Sequence, residues 1–231
     1  MRLTAYGLPA AMQSRLQAAG LLQQADSTTS GTPDSARLWL HAGDTLPQLR
    51  PDDLVLHFGP LPVASLPASS VLVLWQDSPF AVQYGYMLIV GGPTASLRAA
   101  QAVLDALAPA PGAWLQAGGQ HAPAFFGQLT SELGGGMLGL AGLMQSAAST
   151  GFNPLWLAQR QLQDRLAMLA NTYLAASVNE GYESLQPQAA WPINLPGLPN
   201  GNASPARKLA HLLLWLNASM PSPASEQPET P

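Results

Sequence analysis

Six apolar runs of five to seven residues, punctuated by Gly, Pro, Asp and Ser, fill the first half of this chain, and none is long enough to make a helix. They are RLTAYG (2–7), ARLWLH (36–41), DLVLHF (53–58), VLVLW (71–75), YMLIVGG (86–92) and AWLQAG (113–118). Each reads as a buried strand. Between them, MQSRLQAAGLL sets Met12, Leu16 and Ala19 on one helical face, and PTASLRAAQAVLDALA sets Leu97, Ala100, Leu104 and Leu107 at helical spacing. Strands alternating with helices predict a parallel sheet in an α/β fold.

From about Gln120 the period changes. Leu129, Leu133, Met137, Leu140, Met144 and Ala147 follow steps of three and four, which predicts one long amphipathic helix. Gly134, Gly135, Gly136, Gly139 and Gly142 fall inside it, each costing about 1 kcal/mol relative to alanine, so close approach of another helix to a small-residue face is expected to offset them. Asn153 reads as an N-cap with Pro154 at the first helical position, starting a helix through Leu157, Leu162, Leu166, Leu169 and Leu174. Residues 185–204 form a Pro/Asn/Gly-rich connector, PARKLAHLLLWLNA predicts a last helix, and PSPASEQPETP predicts a disordered tail. The expected organisation is an α/β part over 1–118, helices over 119–219 and a tail over 220–231.

Composition narrows the function classes. Charged residues make up 10% of the chain, with Lys+Arg 9 against Asp+Glu 13, so no basic surface exists to neutralise a nucleic-acid backbone. With no cysteine, disulfides, thiolate zinc sites and thiol nucleophiles are excluded. The four histidines, His41, His57, His121 and His211, include no i,i+4 pair of the kind that holds zinc on a helix. The N-terminus has helical rather than signal-peptide character and reads as mature cytoplasmic protein. Residues 133–159 carry no formal charge, which raises a membrane-associated chain as a rival, but Gln145, Ser146, Ser149, Thr150, Asn153 and Pro154 interrupt the segment.

The block YMLIVGGPTASLRAAQAVLDALA, then WLQAGGQHAPAFFGQLTSEL, then AGLMQSAASTGFNP, resembles the β-hydroxyacid dehydrogenases, with 3-hydroxyisobutyrate dehydrogenase typical and 6-phosphogluconate dehydrogenase and the imine reductases more distant. The resemblance covers residues 85–165, and GLPAAM and LRPDDLVLHF resemble the family's first glycine turn and a later strand. It implies a reduced Rossmann-like N-terminal domain, a long interdomain helix and an all-helical C-terminal domain that dimerises. It also implies that the family's second to fourth strands and the second half of its sheet are trimmed.

The resemblance implies NAD(P) as cofactor, a phosphate-cradling glycine turn and a proton-transferring lysine one turn into the long helix. Gly7 matches the first glycine of the turn, but Pro9 and Met12 stand at the other two places. Asp26 falls where a ribose-binding acid would stand, and a turn aspartate is its plainer reading. After Asp77, Ser78 and Pro79 the family's substrate loop is missing. Ala124 occupies the lysine's place, Gln128 that of the family's following asparagine, and the chain's only lysine is Lys208. Phe125, Phe126 and Gly127 supply no substitute acid, and the two phenylalanines read as packing residues. His121 reads either as an acid/base or as a residue that caps and packs at the helix start. The expected function is therefore that of a non-catalytic homologue with no cofactor assigned, NAD(P) being expected only if the family's cofactor site is retained, and acting as a dimeric scaffold or binder of a partner protein or small ligand. The alternative is an active NAD(P)-dependent oxidoreductase whose proton donor is His121, Tyr84 or Tyr86.

Overall fold

The computed structural model describes residues 2–22, 37–43, 46, 48–50, 52–59, 66–150, 153–185 and 203–219, with side chains left out at 140, 145–150 and 153. Asp26, most of the 185–204 connector and the 220–231 tail lie outside the described residues. The elements in chain order are β1 (Arg2–Tyr6), α1 (Ala10–Ala18), β2 (Arg37–His41), β3 (Leu54–His57), β4 (Val71–Trp75), α2 (Ala81–Tyr84), β5 (Leu88–Gly91), α3 (Thr94–Leu107), β6 (Leu115–Gly118), α4 (Ala122–Thr150), α5 (Asn153–Ala176) and α6 (Pro205–Ala218).

All six expected strands form, one of them, Val71–Trp75, with the expected bounds and the others shorter by one to three residues. They make one mixed α/β sheet in the order β1-β2-β3-β4-β5-β6. The expectation of a parallel sheet holds for every neighbouring pair except β4 and β5, which run antiparallel. The reason lies in residues 76–87, where the one-turn α2 ends at Gly85 and the Tyr86 N–H donates to the Leu107 carbonyl at 2.8 Å. That bond anchors the chain at the end of the sheet where β4 finishes, so β5 starts there and runs back. The carboxyl ends of β1 to β4 therefore lie at one end of the sheet and those of β5 and β6 at the other.

Apolar residues on the two sheet faces build two cores. On one face Met12 and Leu16 of α1 and Leu97, Ala100, Leu104 and Leu107 of α3 pack over Leu38, Leu40, Leu56 and Val73. On the other, α4 touches β4, β5 and β6, and Phe125 and Leu129 of α4 pack with Leu166, Ala170 and Tyr173 of α5 and Ala206 and Ala210 of α6. α6 carries an N-cap that the sequence reading did not single out, with the Arg207 N–H donating to Ser204 Oγ at 3.3 Å. Among the described residues no helix is long and apolar enough to cross a membrane.

One buried charge ties β2 to the entry of β3. Asp53, whose side chain is 1% exposed, accepts from Arg37 Nε at 3.2 Å and Nη2 at 3.0 Å, from Trp39 Nε1 at 2.9 Å and from the Arg50 N–H at 3.0 Å. Burial pushes its pKa up, but the Arg50, Arg37 and Trp39 hydrogen bonds outweigh burial and hold it at about 2.

Candidate functional site

The long helix starts just after β6 ends, with His121 immediately before it and Ala124 and Gln128 in its first turns. Gln120 holds the chain in place before it: its Nε2 donates to the carbonyls of Pro67, Ala68 and Ser70 at 2.9, 3.2 and 2.9 Å. α4 then crosses the sheet toward β4. Where it passes β4 it leaves a cleft of about 400 Å³, with Leu72 to Trp75 on one side and Ala124, Gly127 and Gln128 on the other. Gly59, just beyond the carboxyl end of β3, reaches the same cleft. Ala124 and Gln128 are four residues apart and so share one helix face, which is the face that meets the cleft. Both are solvent-exposed at its rim.

His121 is placed differently. Its Nδ1 lies 2.8 Å from Glu180 Oε1, and its backbone N–H donates to the same oxygen at 3.1 Å. A carboxylate only accepts, so it selects the tautomer with the proton on Nδ1. Glu180 comes from the turn after α5 and lies 59 residues away in the chain, and no local pattern connects the two. Glu180 faces a second, polar cavity of about 580 Å³ beyond the carboxyl ends of β5 and β6, shared with Thr94, Gln120, Asn179, Tyr182 and Glu183.

The remaining candidates scatter. Gly7 ends β1 with φ +72°, and a side chain there would run into the Ala42 carbonyl, so the turn itself requires glycine. β1 and β6 are opposite edges of the described sheet, with carboxyl ends pointing opposite ways, so Gly7 and His121 occupy diagonally opposed corners. Five strand spacings of about 4.8 Å separate those edges by roughly 24 Å. Tyr84 is 60% exposed on α2 and borders neither cavity, while Tyr86 is buried edge-on against Trp75 and burial pushes its pKa up. Phe125 stacks on Tyr173 with ring centroids 4.5 Å apart and meets Phe126 edge-on, so both are packing residues as expected.

A second pair escapes a reading of helical spacing. His41 and His57 end β2 and β3 and pair directly in register. Both are fully buried, with Nδ1 to Nδ1 at 3.1 Å, and Tyr6 of β1 stacks on His41 at 5.7 Å. Burial, and second the electrostatic influence of His41, bring His57 down to about 4, against a weaker opposing hydrogen bond with the Gly59 backbone. The available signal is that both histidines sit at the end of a strand-like run. Among the described residues no group of three or more His, Asp or Glu could hold a metal ion.

No protein-family model matches the chain, and a search of curated proteins finds no match.

Proposed function

We propose that the chain is a reduced, non-catalytic relative of the β-hydroxyacid dehydrogenases that keeps the cleft beside the long helix as a small-ligand site and uses its helical part to dimerise. The observation that carries this reading is the wall of the cleft: at the place of the family's proton-transferring lysine stands Ala124, and among the described residues no ionisable side chain lines the cavity. A group able to give or take a proton at a substrate carbon is missing where the reaction needs it.

The strand order supports a trimmed Rossmann-like sheet. The usual doubly wound order is 3-2-1-4-5-6, and removing strands 2 and 3 leaves 1-4-5-6, a sequential parallel run like β1 to β4 here. The same trimming removes the reversal of strand order at which such sheets hold a dinucleotide. The residues present do not fit NAD(P). Pro9 stands at the N-cap of α1 without an N–H to offer a phosphate, and Met12 is fully buried in the core instead of leaving a gap for close approach. Titrating NADPH while following tryptophan fluorescence is expected to give no saturable change; saturation at micromolar cofactor would favour the second reading, an active NAD(P)-dependent oxidoreductase. That reading has the His121–Glu180 pair in its favour, a histidine oriented as a general acid or base, and the distance of His121 from the Gly7 turn against it.

The dimer is supported by what α4 leaves uncovered. The expected close helix approach occurs within the chain at Gly136, where a Cβ would sit 2.7 Å from Leu162 Cδ2 of α5. Among the described residues a Cβ at Gly134, Gly135, Gly139 or Gly142 would meet nothing within 4 Å, and Met137, Leu138 and Met144 beside them are 68%, 78% and 68% exposed. A second copy packed on this face would offset the helix cost of those four glycines, about 1 kcal/mol each. Light scattering is expected to give about twice the chain mass of 24.2 kDa, and Leu138→Glu with Met144→Glu to return it to one chain mass at unchanged helix content. A wild-type monomer would remove this part of the proposal.

A further inference from the structure

We infer that the cleft between β4 and α4 takes an uncharged ligand, an apolar ring bearing a carboxamide, and rejects the carboxylates that a hydroxyacid enzyme would bind. The inference rests on the ligand-cleft reading above and names the chemical class of its occupant.

Charge decides the first half. One wall is the β4 strand from Leu72 to Trp75, the other is Ala124, Gly127 and Gln128, and among the described residues neither wall carries a charged side chain. A carboxylate entering such a space gives up water without gaining a counter-charge, a penalty of several kcal/mol that an uncharged group of the same shape avoids. The wall is largely hydrocarbon, with Leu72 buried beneath it, and a volume of about 400 Å³ falls at the small end of ligand pockets. A single ring with a short polar substituent fits that description.

Gln128 decides the second half. Among the described lining residues it is the one whose side chain both donates and accepts, the Trp75 indole N–H only donating, and its amide makes no hydrogen bond with the described residues. An amide offers one carbonyl acceptor and two N–H donors on one planar group. A ligand carboxamide presents the complementary acceptor and donor side by side, so two hydrogen bonds close between them. A hydroxyl or ketone satisfies only one at a time, and a carboxylate leaves the Gln128 carbonyl facing a second acceptor.

Benzamide and benzoate are nearly the same shape and differ in charge, which makes them the probes. Saturation-transfer NMR on the full-length protein is expected to show saturable benzamide binding and none by benzoate. Gln128→Leu is expected to weaken benzamide about tenfold, the loss of roughly one net hydrogen bond. Ala124→Lys, at an exposed helix position that leaves the core untouched, is expected to gain benzoate binding. Wild-type binding of benzoate as tight as that of benzamide overturns the proposal, as does benzamide binding indifferent to Gln128→Leu. If Ala124→Lys binds benzoate while the wild type binds no benzamide, the ligand class is wrong and the cleft reading stands. If neither probe binds either protein, both fall.

Discussion

Acidification from about pH 7 to about pH 4 is expected to cost the fold on the order of 3 kcal/mol through His57 alone. The histidine is fully buried against His41, and its folded-state pKa is about 4 against an ordinary value of 6.5. Above pH 6.5 both folded and unfolded chains hold it neutral, and the stabilisation is fully present. Between the two values the unfolded chain takes up a proton that the folded chain refuses, so stability falls as pH falls. Below about 4 both forms carry the proton and this contribution is exhausted. Urea unfolding across the window, compared with His57→Gln, isolates the effect: the variant keeps hydrogen-bonding capacity but cannot titrate, and its stability should slope less with pH by that amount. Equal slopes would mean that the pair accommodates the proton. Asp53, held at about 2, acts in a separate and lower window, its stabilisation present above the ordinary carboxylate value of 3.8 and lost as pH falls through 2.

Gly91→Ala is the second large effect, about 3 kcal/mol of destabilisation by overpacking. Gly91 closes β5, and a Cβ there would collide with the Gly119 carbonyl and lie 2.5 Å from Pro123 Cδ. Neither can move cheaply. The neighbouring Gly92 N–H is bonded to the Gly118 carbonyl at 3.0 Å, and Pro123 is buried in the first turn of α4. The substitution therefore has to push the start of α4 away from the sheet, and Pro123 is itself part of the cleft wall. A lowered urea midpoint together with weakened benzamide binding is the expected result. An unchanged midpoint would show that the β5–β6 junction yields, and that the cleft does not depend on this close approach.

Local order was legible wherever residue type alone decides it. Short β-rich runs bounded by Gly, Pro, Asp or Ser became strands, and Pro154 marked the start of α5. The small helix α2 was not legible, because FAVQYGYML lacks both a cap and an apolar face long enough to show a period. The candidate site was legible only in part. Ala124 and Gln128 fall on one helix face by spacing, but that this face meets β4 depends on where α4 crosses the sheet. His121 was visible as a helix-start histidine, yet its partner Glu180 belongs to a turn on the far side of two long helices.

What the amino-acid sequence determined by itself is chemical and local: the strands and the longer helices, the absence of thiols, and an alanine where a dehydrogenase-like reading wants a lysine. Those follow from the side chains present and their spacing. Only the tertiary structure decided direction and company. The antiparallel turn between β4 and β5 sends the carboxyl ends of β5 and β6 to the opposite end of the sheet, which parts His121 from Gly7. The parallel register of β2 and β3 brings His41 onto His57. The physical reason is that backbone direction and register are set by which distant apolar surfaces bury each other, a sum over the whole chain that no single stretch contains.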